Sequence, residues 1–246
     1  MKAVIGESLM DVNALLNRVN IINTTSINGM TIHKVRIENG CPFLIVITGY
    51  GKVNTSRAVQ YLKDEYHVDT IILTGNTAST SATDLPFGTV GISTSSFQYD
   101  VDFTALGEAE YTLPNMNTGR YIADAGLIKS AQDSTAGLGF NVEEGVYATG
   151  DQFLTDGTTA TTLATDEGVS FIDSATAAAA QVAYLEGIKY IAVKGVSNYA
   201  TADAVANYYA NMTQANANAN AVVYQMLLLM QNEAQEEANQ TNNQNN

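Results

Sequence analysis

Apolar positions change their period several times along the chain, and each change marks an element. Residues 1–6, MKAVIG, form a short apolar run that reads as a first strand. From Glu7 to Asn20, the residues Leu9, Val12, Leu15, Leu16 and Val19 fall at helical spacing. Two Asn-Gly pairs follow, Asn28-Gly29 and Asn39-Gly40, each between strand-like runs. Asn-Gly favours the positive φ angles of a type I′ turn, so Ile21–Ile27, Met30–Ile37 and Phe43–Thr48 are predicted as three antiparallel strands. The run Phe43–Thr48, FLIVIT, is apolar enough for a central strand, and a helix to about Tyr66 follows the turn Gly49–Asn54.

Further strands are predicted at Asp69–Thr74, Thr89–Ser95, Val142–Thr149 and Gly168–Asp173, with helices at Ala123–Ala136 and Ser174–Gly187. Gln98–Gly107 reads as a loop or edge strand carrying Asp100 and Asp102, and Thr155–Thr165 as an insertion-like stretch with little to fix one conformation. The strand Tyr190–Val193 runs into a predicted Gly195-Val196-Ser197-Asn198 turn. A long helix follows at Thr201–Asn232, with Val222, Val223, Met226 and Leu227 on its apolar side. Strands alternating with helices, plus one antiparallel set, predict a single three-layer α/β domain with a mixed sheet over 1–232. The Gln- and Asn-rich tail, 233–246, buries too little to fold alone.

Composition narrows the function. The chain has 246 residues and 46% apolar content, enough for a full core. It holds no run of eighteen apolar residues, so no membrane span is expected. The first apolar stretch is broken too soon by Glu7 for a secretory signal. A cytoplasmic location is the default expectation, and export without a signal would read the same. Cys41 is the only cysteine, and His33 and His67 the only histidines, so no disulfide, metal set, cofactor or Ser-His-Asp arrangement is expected. Eleven Lys and Arg against twenty-five Asp and Glu, a net −14, oppose binding to nucleic acid and to anionic membranes. Charged residues make up only 15%, and a surface of small neutral polar residues suits close packing against other protein.

Candidate chemistry gathers after the last strand. Ligands of open α/β sheets collect at the carboxyl ends of strands, which is where Ser197 and Asn198 would sit. Asn198 can hydrogen-bond, but its amide cannot transfer a proton as a carboxylic acid can. The Gly49–Asn54 turn could present N–H groups to an anion at a helix N-terminus, although its spacing matches neither the P-loop nor the dinucleotide fingerprint.

An ordered set of motifs resembles the nucleoside phosphorylase superfamily, and within it the 5′-methylthioadenosine/S-adenosylhomocysteine nucleosidases. The set comprises MKAVIGESLMDV at the start, GYGKVN at Gly49–Asn54, LTGNTAS at Leu73–Ser79 and DVDFTALG at Asp100–Gly107. It continues with TGDQFL at Thr149–Leu154, DSATAAAAQVA at Asp173–Ala183 and VKGVSNYA at Val193–Ala200. The resemblance implies a twisted mixed sheet, partly barrel-like and flanked by helices, in a homodimer or larger homo-oligomer. It implies removal of a purine from a ribosyl group. The family's proton-donating aspartate falls on Asn198, its ribose-binding glutamate on Ser174 (or, shifted by one, Asp173), and its water-activating acid on Asp11, with Glu7 near by. Phe153 takes a base-stacking position, Lys194 a basic one, and Gly49, Asn76 and Ser197 lie in the binding motifs.

Two of those matches lose the family's acid, at Asn198 and Ser174. The expectation is therefore a non-catalytic member of the fold: a self-assembling structural or filament-forming protein whose partner is itself. The alternative is a purine N-ribosyl hydrolase or phosphorylase acting on methylthioadenosine-like nucleosides, or a protein that only binds a purine or nucleoside.

Overall fold

The computed structural model describes residues 1–81 and 84–244, apart from the side chains of 237–239 and 241–244. At Asn28-Gly29 both residues have positive φ, 50° and 79°, and the chain reverses within two residues. That turn joins β2 (Asn20–Ile27) to β3 (Met30–Arg36), and β3 pairs with β4 (Phe43–Ile47), so the predicted antiparallel set forms. At the second reversal the positive φ falls on Glu38 instead, at 48°.

β1 (Lys2–Gly6) lies parallel between β4 and β5 (Thr70–Ser79). Beyond β5 the sheet closes on itself. β10 (Lys189–Tyr199) runs parallel to β5 and antiparallel to β6 (Val90–Gln98). β6 is parallel to β8 (Val142–Thr149), and β8 to β9 (Val169–Asp173). β9 returns to the end of β5, pairing Ala78 with Ile172 and Ser79 with Phe171, which completes a five-stranded barrel. β7 (Arg120–Ile122), which the sequence reading missed, adds a short strand to β6.

Central strands bury both faces, which is why they read as continuous apolar runs rather than alternating ones. Ala3, Ile5, Ile71 and Leu73 face the core shared with α2 (Lys52–Tyr66) and α5 (Thr176–Glu186), through Leu62, Ala179 and Ala183. Val4, Ile72, Ile191 and Val193 face the opposite core. There they meet α1 (Leu9–Leu16), α3 (Ala125–Asp133) and α6 (Ala204–Gln244) through Val12, Leu15, Leu127, Val222 and Met226. The three-layer mixed α/β architecture is as predicted. Among the described residues no helix is long and apolar enough to cross a membrane.

Three local readings change. The predicted Gly195–Asn198 turn is strand: β10 stays paired with β5, Gly195 opposite Asn76 and, after a bulge that shifts the register by one residue, Asn198 opposite Ala78. The glycine is there for space, since a Cβ at Gly195 would run into the Ala215 carbonyl of α6. The stretch at Thr155–Thr165 forms α4 (Gly157–Glu167), because Asp156 accepts from Thr158 N at 2.9 Å and caps it. Threonines with modest helix propensity concealed that start. The polar tail continues α6 as far as Gln244.

Gly195→Ala should destabilise the fold by about 1–3 kcal/mol through overpacking of β10 on α6. Urea unfolding would measure it, and an unchanged midpoint would mean that α6 shifts away without cost.

Candidate functional site

The carboxyl ends of β1, β5, β9 and β10 converge on a cleft of about 550 Å³. Asn76, Thr77, Asp173 and Ser174 line one part of it. Phe153, Leu154, Ile172 and Ala78 provide an apolar slot. Tyr50 and three α6 residues, Val205, Tyr208 and Tyr209, stand at the far wall. Phe153 and Tyr208 meet edge to face, with ring centres 5.6 Å apart.

Behind the wall lies a buried ionic cluster. Lys194 is 2% exposed, and its ammonium stands 2.6 Å from Asp173 and 4.0 Å from Glu7. Burial opposes the charge on Lys194, but Asp173 and Glu7 outweigh it and hold the ammonium above its ordinary range. Burial likewise opposes ionisation of Asp173; Lys194 and the surrounding donors prevail and hold it below the usual carboxylate range. Those donors include Thr149 Oγ1 at 2.7 Å and the N–H groups of Ala175 and Thr176 at 3.3 and 3.1 Å, so Asp173 has no acceptor capacity left.

Asp11 and Glu7 behave differently. Burial pushes Asp11 above the usual range, against the pull of the Ser8 N–H, which donates to Oδ2 at 2.8 Å. Its Oδ1 accepts from Asn76 Nδ2 at 3.1 Å. Asn220 on α6 fixes the backbone here, donating to the Asp11 carbonyl at 2.7 Å and to Thr74 Oγ1 at 3.1 Å. Burial also pushes Glu7 up, more strongly than Lys194 pulls it down. Glu7 accepts from Gly51 N at 2.9 Å, and Ser174 Oγ lies 2.8 and 3.0 Å from its two oxygens.

Two consequences follow for residues singled out in the sequence. Two N–H groups of the Gly49–Asn54 turn, expected to meet an anion, meet the protein's own carboxylates: Gly51 N donates to Glu7 and Lys52 N to Asp151, each at 2.9 Å. Gly49, at φ 86°, directs its own N–H to the Glu7 carbonyl at 3.0 Å. At the other end of the cleft, Ser197 Oγ donates to Asn198 Oδ1 at 2.8 Å, while Asn198 Nδ2 has only a 3.4 Å contact to the Tyr199 carbonyl. The serine thus orients the amide and leaves its N–H₂ available.

Asn76, Phe153, Asp173, Ser174 and Asn198 therefore line one cleft, with Asp11, Gly49 and Ser197 each one hydrogen bond behind it. The sequence reading gave Glu7 only a standby role, although a carboxylate directly after the first strand was the available signal. Tyr50 and Tyr208 carried no signal. The Asp100 and Asp102 pair serves structure, Asp100 paired to Lys52 at 2.6 Å and Asp102 accepting from Thr104 N. Among the described residues, no group of three or more His, Cys, Asp or Glu could hold a metal ion.

A family model described as the phosphorylase superfamily matches residues 2–228. A 5′-methylthioadenosine/S-adenosylhomocysteine nucleosidase of an Exiguobacterium species is 30% identical over 203 residues, 82% of this chain and 86% of that one. The Neisseria meningitidis nucleosidase of the same name, solved with methylthio-immucillin-A, superimposes with a TM-score of 0.87 at 24% identity, covering 92% of this chain and 97% of that one. The Colwellia psychrerythraea nucleosidase, solved with adenine, gives 0.85 at 24% identity, covering 92% and 94%. These similarities overturn the expectation of a non-catalytic, filament-forming structural protein, because the proteins that match are nucleosidases. That expectation counted Ser174 as a lost acid, whereas Ser174 holds the carboxylate of Glu7 in the same corner.

Lys194→Met should cost about 3–5 kcal/mol near neutral pH, since it leaves Asp173 buried without its counter-charge. In the parent, Asp173 stabilises above its unfolded pKa, and that contribution is lost as pH falls through its lower folded value. In the variant the unpaired acid gains by protonation, so the deficit should shrink in mild acid. Urea unfolding at both pH values checks this; a deficit that grows with acid would contradict it.

Proposed function

Because this chain belongs to the phosphorylase superfamily, we propose that it is a purine N-ribosyl hydrolase acting on 5′-methylthioadenosine-like nucleosides. The observation that carries this reading is the charge arrangement at the cleft: three carboxylates, Glu7, Asp11 and Asp173, stand around a single ammonium. Cleaving the glycosidic bond sends its electron pair to the purine and leaves a cation-like sugar, which such a surplus of negative charge stabilises. The nucleosidases that the chain resembles, two of them solved with methylthio-immucillin-A or adenine, support the same substrate class.

The residues divide the work by position. The apolar slot at Phe153 and Ile172 receives the purine, where Phe153 is free to stack on it. Asn198 donates Nδ2–H to a ring nitrogen of the base and steadies the charge arriving there. Asp11, behind Asn76, retains one lone pair on Oδ1 beyond that bond and takes a proton from an attacking water that enters past the Asn76 side chain. Water rather than phosphate is the nucleophile in this reading, since the nearby cations are neutralised, Lys194 by Asp173 and Lys52 by Asp100. The amide at Asn198 limits the rate: it hydrogen-bonds the leaving base but supplies no proton, so the base must draw one from solvent.

Slow release of adenine from 5′-methylthioadenosine is therefore expected. Asn198→Asp should accelerate it by roughly 10²–10⁴-fold, the usual contribution of a positioned general acid. Chromatography of released adenine measures both rates. No release by either protein, with no binding of adenine, would remove the hydrolase reading.

The reading includes self-association as a homodimer or larger homo-oligomer, for which the exposed side chains of Val53, Leu106 and Leu185 supply apolar surface. Sedimentation equilibrium should show at least a dimer; a monomer at every concentration would exclude it.

A further inference from the structure

We propose that Glu7 is the ribose-recognising residue of this cleft, its carboxylate accepting from the 2′,3′-diol and selecting ribonucleosides over 2′-deoxyribonucleosides. The proposal rests on the nucleosidase reading and names which of the three carboxylates reads the sugar.

Acceptor capacity separates the three. Asp173 receives donors on both oxygens from Thr149, Ala175, Thr176 and Lys194. Asp11 closes the capping box of α1, whose N-cap is Ser8: Ser8 N and Ser8 Oγ both reach its Oδ2, at 2.8 and 3.0 Å, and Asn76 reaches Oδ1. Neither can take two further donors. Glu7 has Gly51 N on Oε1 and the single proton of Ser174, which lies within reach of both oxygens. Lys194, at 4.0 Å, is beyond hydrogen-bond distance. A carboxylate offers about four acceptor sites, so roughly two remain open on Glu7. They belong to a side chain that is 11% exposed and lines the cleft beside Asn76 and Ser174.

A vicinal diol supplies what is missing. Its two adjacent O–H groups suit one carboxylate, and a buried carboxylate with unmet acceptors gains most from donors that arrive with the ligand. Ser174 acts as a positioning residue. Its hydroxyl and the Gly51 N–H hold the Glu7 carboxylate from two sides, in the turn before α5 and at the start of α2. A shorter side chain at position 174 thus leaves room for a longer one arriving from β1.

The test compares adenine, 9-deazaadenosine and 2′-deoxy-9-deazaadenosine by calorimetry. The carbon–carbon glycosidic link of the two nucleosides resists cleavage during the titration. The parent protein should favour the ribonucleoside by roughly tenfold or more. Glu7→Gln should bring that ratio to within about twofold while adenine affinity is unchanged. Ser174→Ala should give an intermediate ratio, again with adenine unaffected, and it carries the test should Glu7→Gln fail to fold. Equal binding of the two nucleosides by the parent, or a ratio unmoved in Glu7→Gln, overturns the assignment of Glu7 while adenine binding leaves the nucleosidase reading standing. A parent that binds neither adenine nor the nucleosides overturns both.

Discussion

The ammonium of Lys194 is buried to 2% exposure between Asp173 and Glu7, and the polar side of the cleft is arranged around it. A single unpaired charge at that depth would cost several kcal/mol, and so would an unpaired carboxylate. Together they hold each other in place, with Thr149, Thr176 and two backbone N–H groups meeting the lone pairs that the ammonium does not reach. Asp173 is thereby a structural anion that keeps Lys194 charged, and of these two carboxylates Glu7 is the one that keeps acceptor sites open at the cleft.

Closure of the sheet delivers the rest. β5 and β10 run parallel for their whole length, so Asn76 and Asn198 come to the same end of the barrel by register, without a loop to carry them. Gly195 lets α6 approach β10, and α6 in turn brings Asn220 onto the backbone of Asp11 and Tyr208 onto the edge of Phe153. One helix thus touches both the carboxylate side and the apolar slot of the cleft. Strands and α6 fix Asn76, Asn198 and Asp11, while Phe153 and Leu154 reach the cleft from the connection between β8 and α4.

Most of the fold was legible because the central strands are continuously apolar and the Asn28-Gly29 turn has one conformational solution. Boundaries at the cleft were not legible. Gly195-Val196-Ser197-Asn198 has turn-forming residues, yet pairing with β5 keeps it extended, a tertiary effect that local propensity does not contain. Asp156 shows its capping role only once the threonines after it are seen as helix. The motifs did single out residues that come together: Asn76, Phe153 and Asn198 line the cleft, and Asp11 lies one hydrogen bond behind it. The contact between Glu7 and Ser174 was not legible, because Ser174 was judged by its own length: two positions 167 residues apart share a hydrogen bond, and spacing along a chain carries no trace of that.

The N–H groups at the start of α2 have a consequence for the charge of any ligand that this cleft admits. Free N–H groups at such a helix end would attract a phosphate. Here Glu7 and Asp151 occupy them, turning an electropositive corner into an electronegative one. A nucleotide arriving with its phosphate toward Tyr50 meets like charge, whereas a neutral nucleoside of the same purine does not. The chain carries its own built-in competitor for phosphate, and in the proposed nucleosidase that competitor would act as a charge filter between nucleosides and nucleotides.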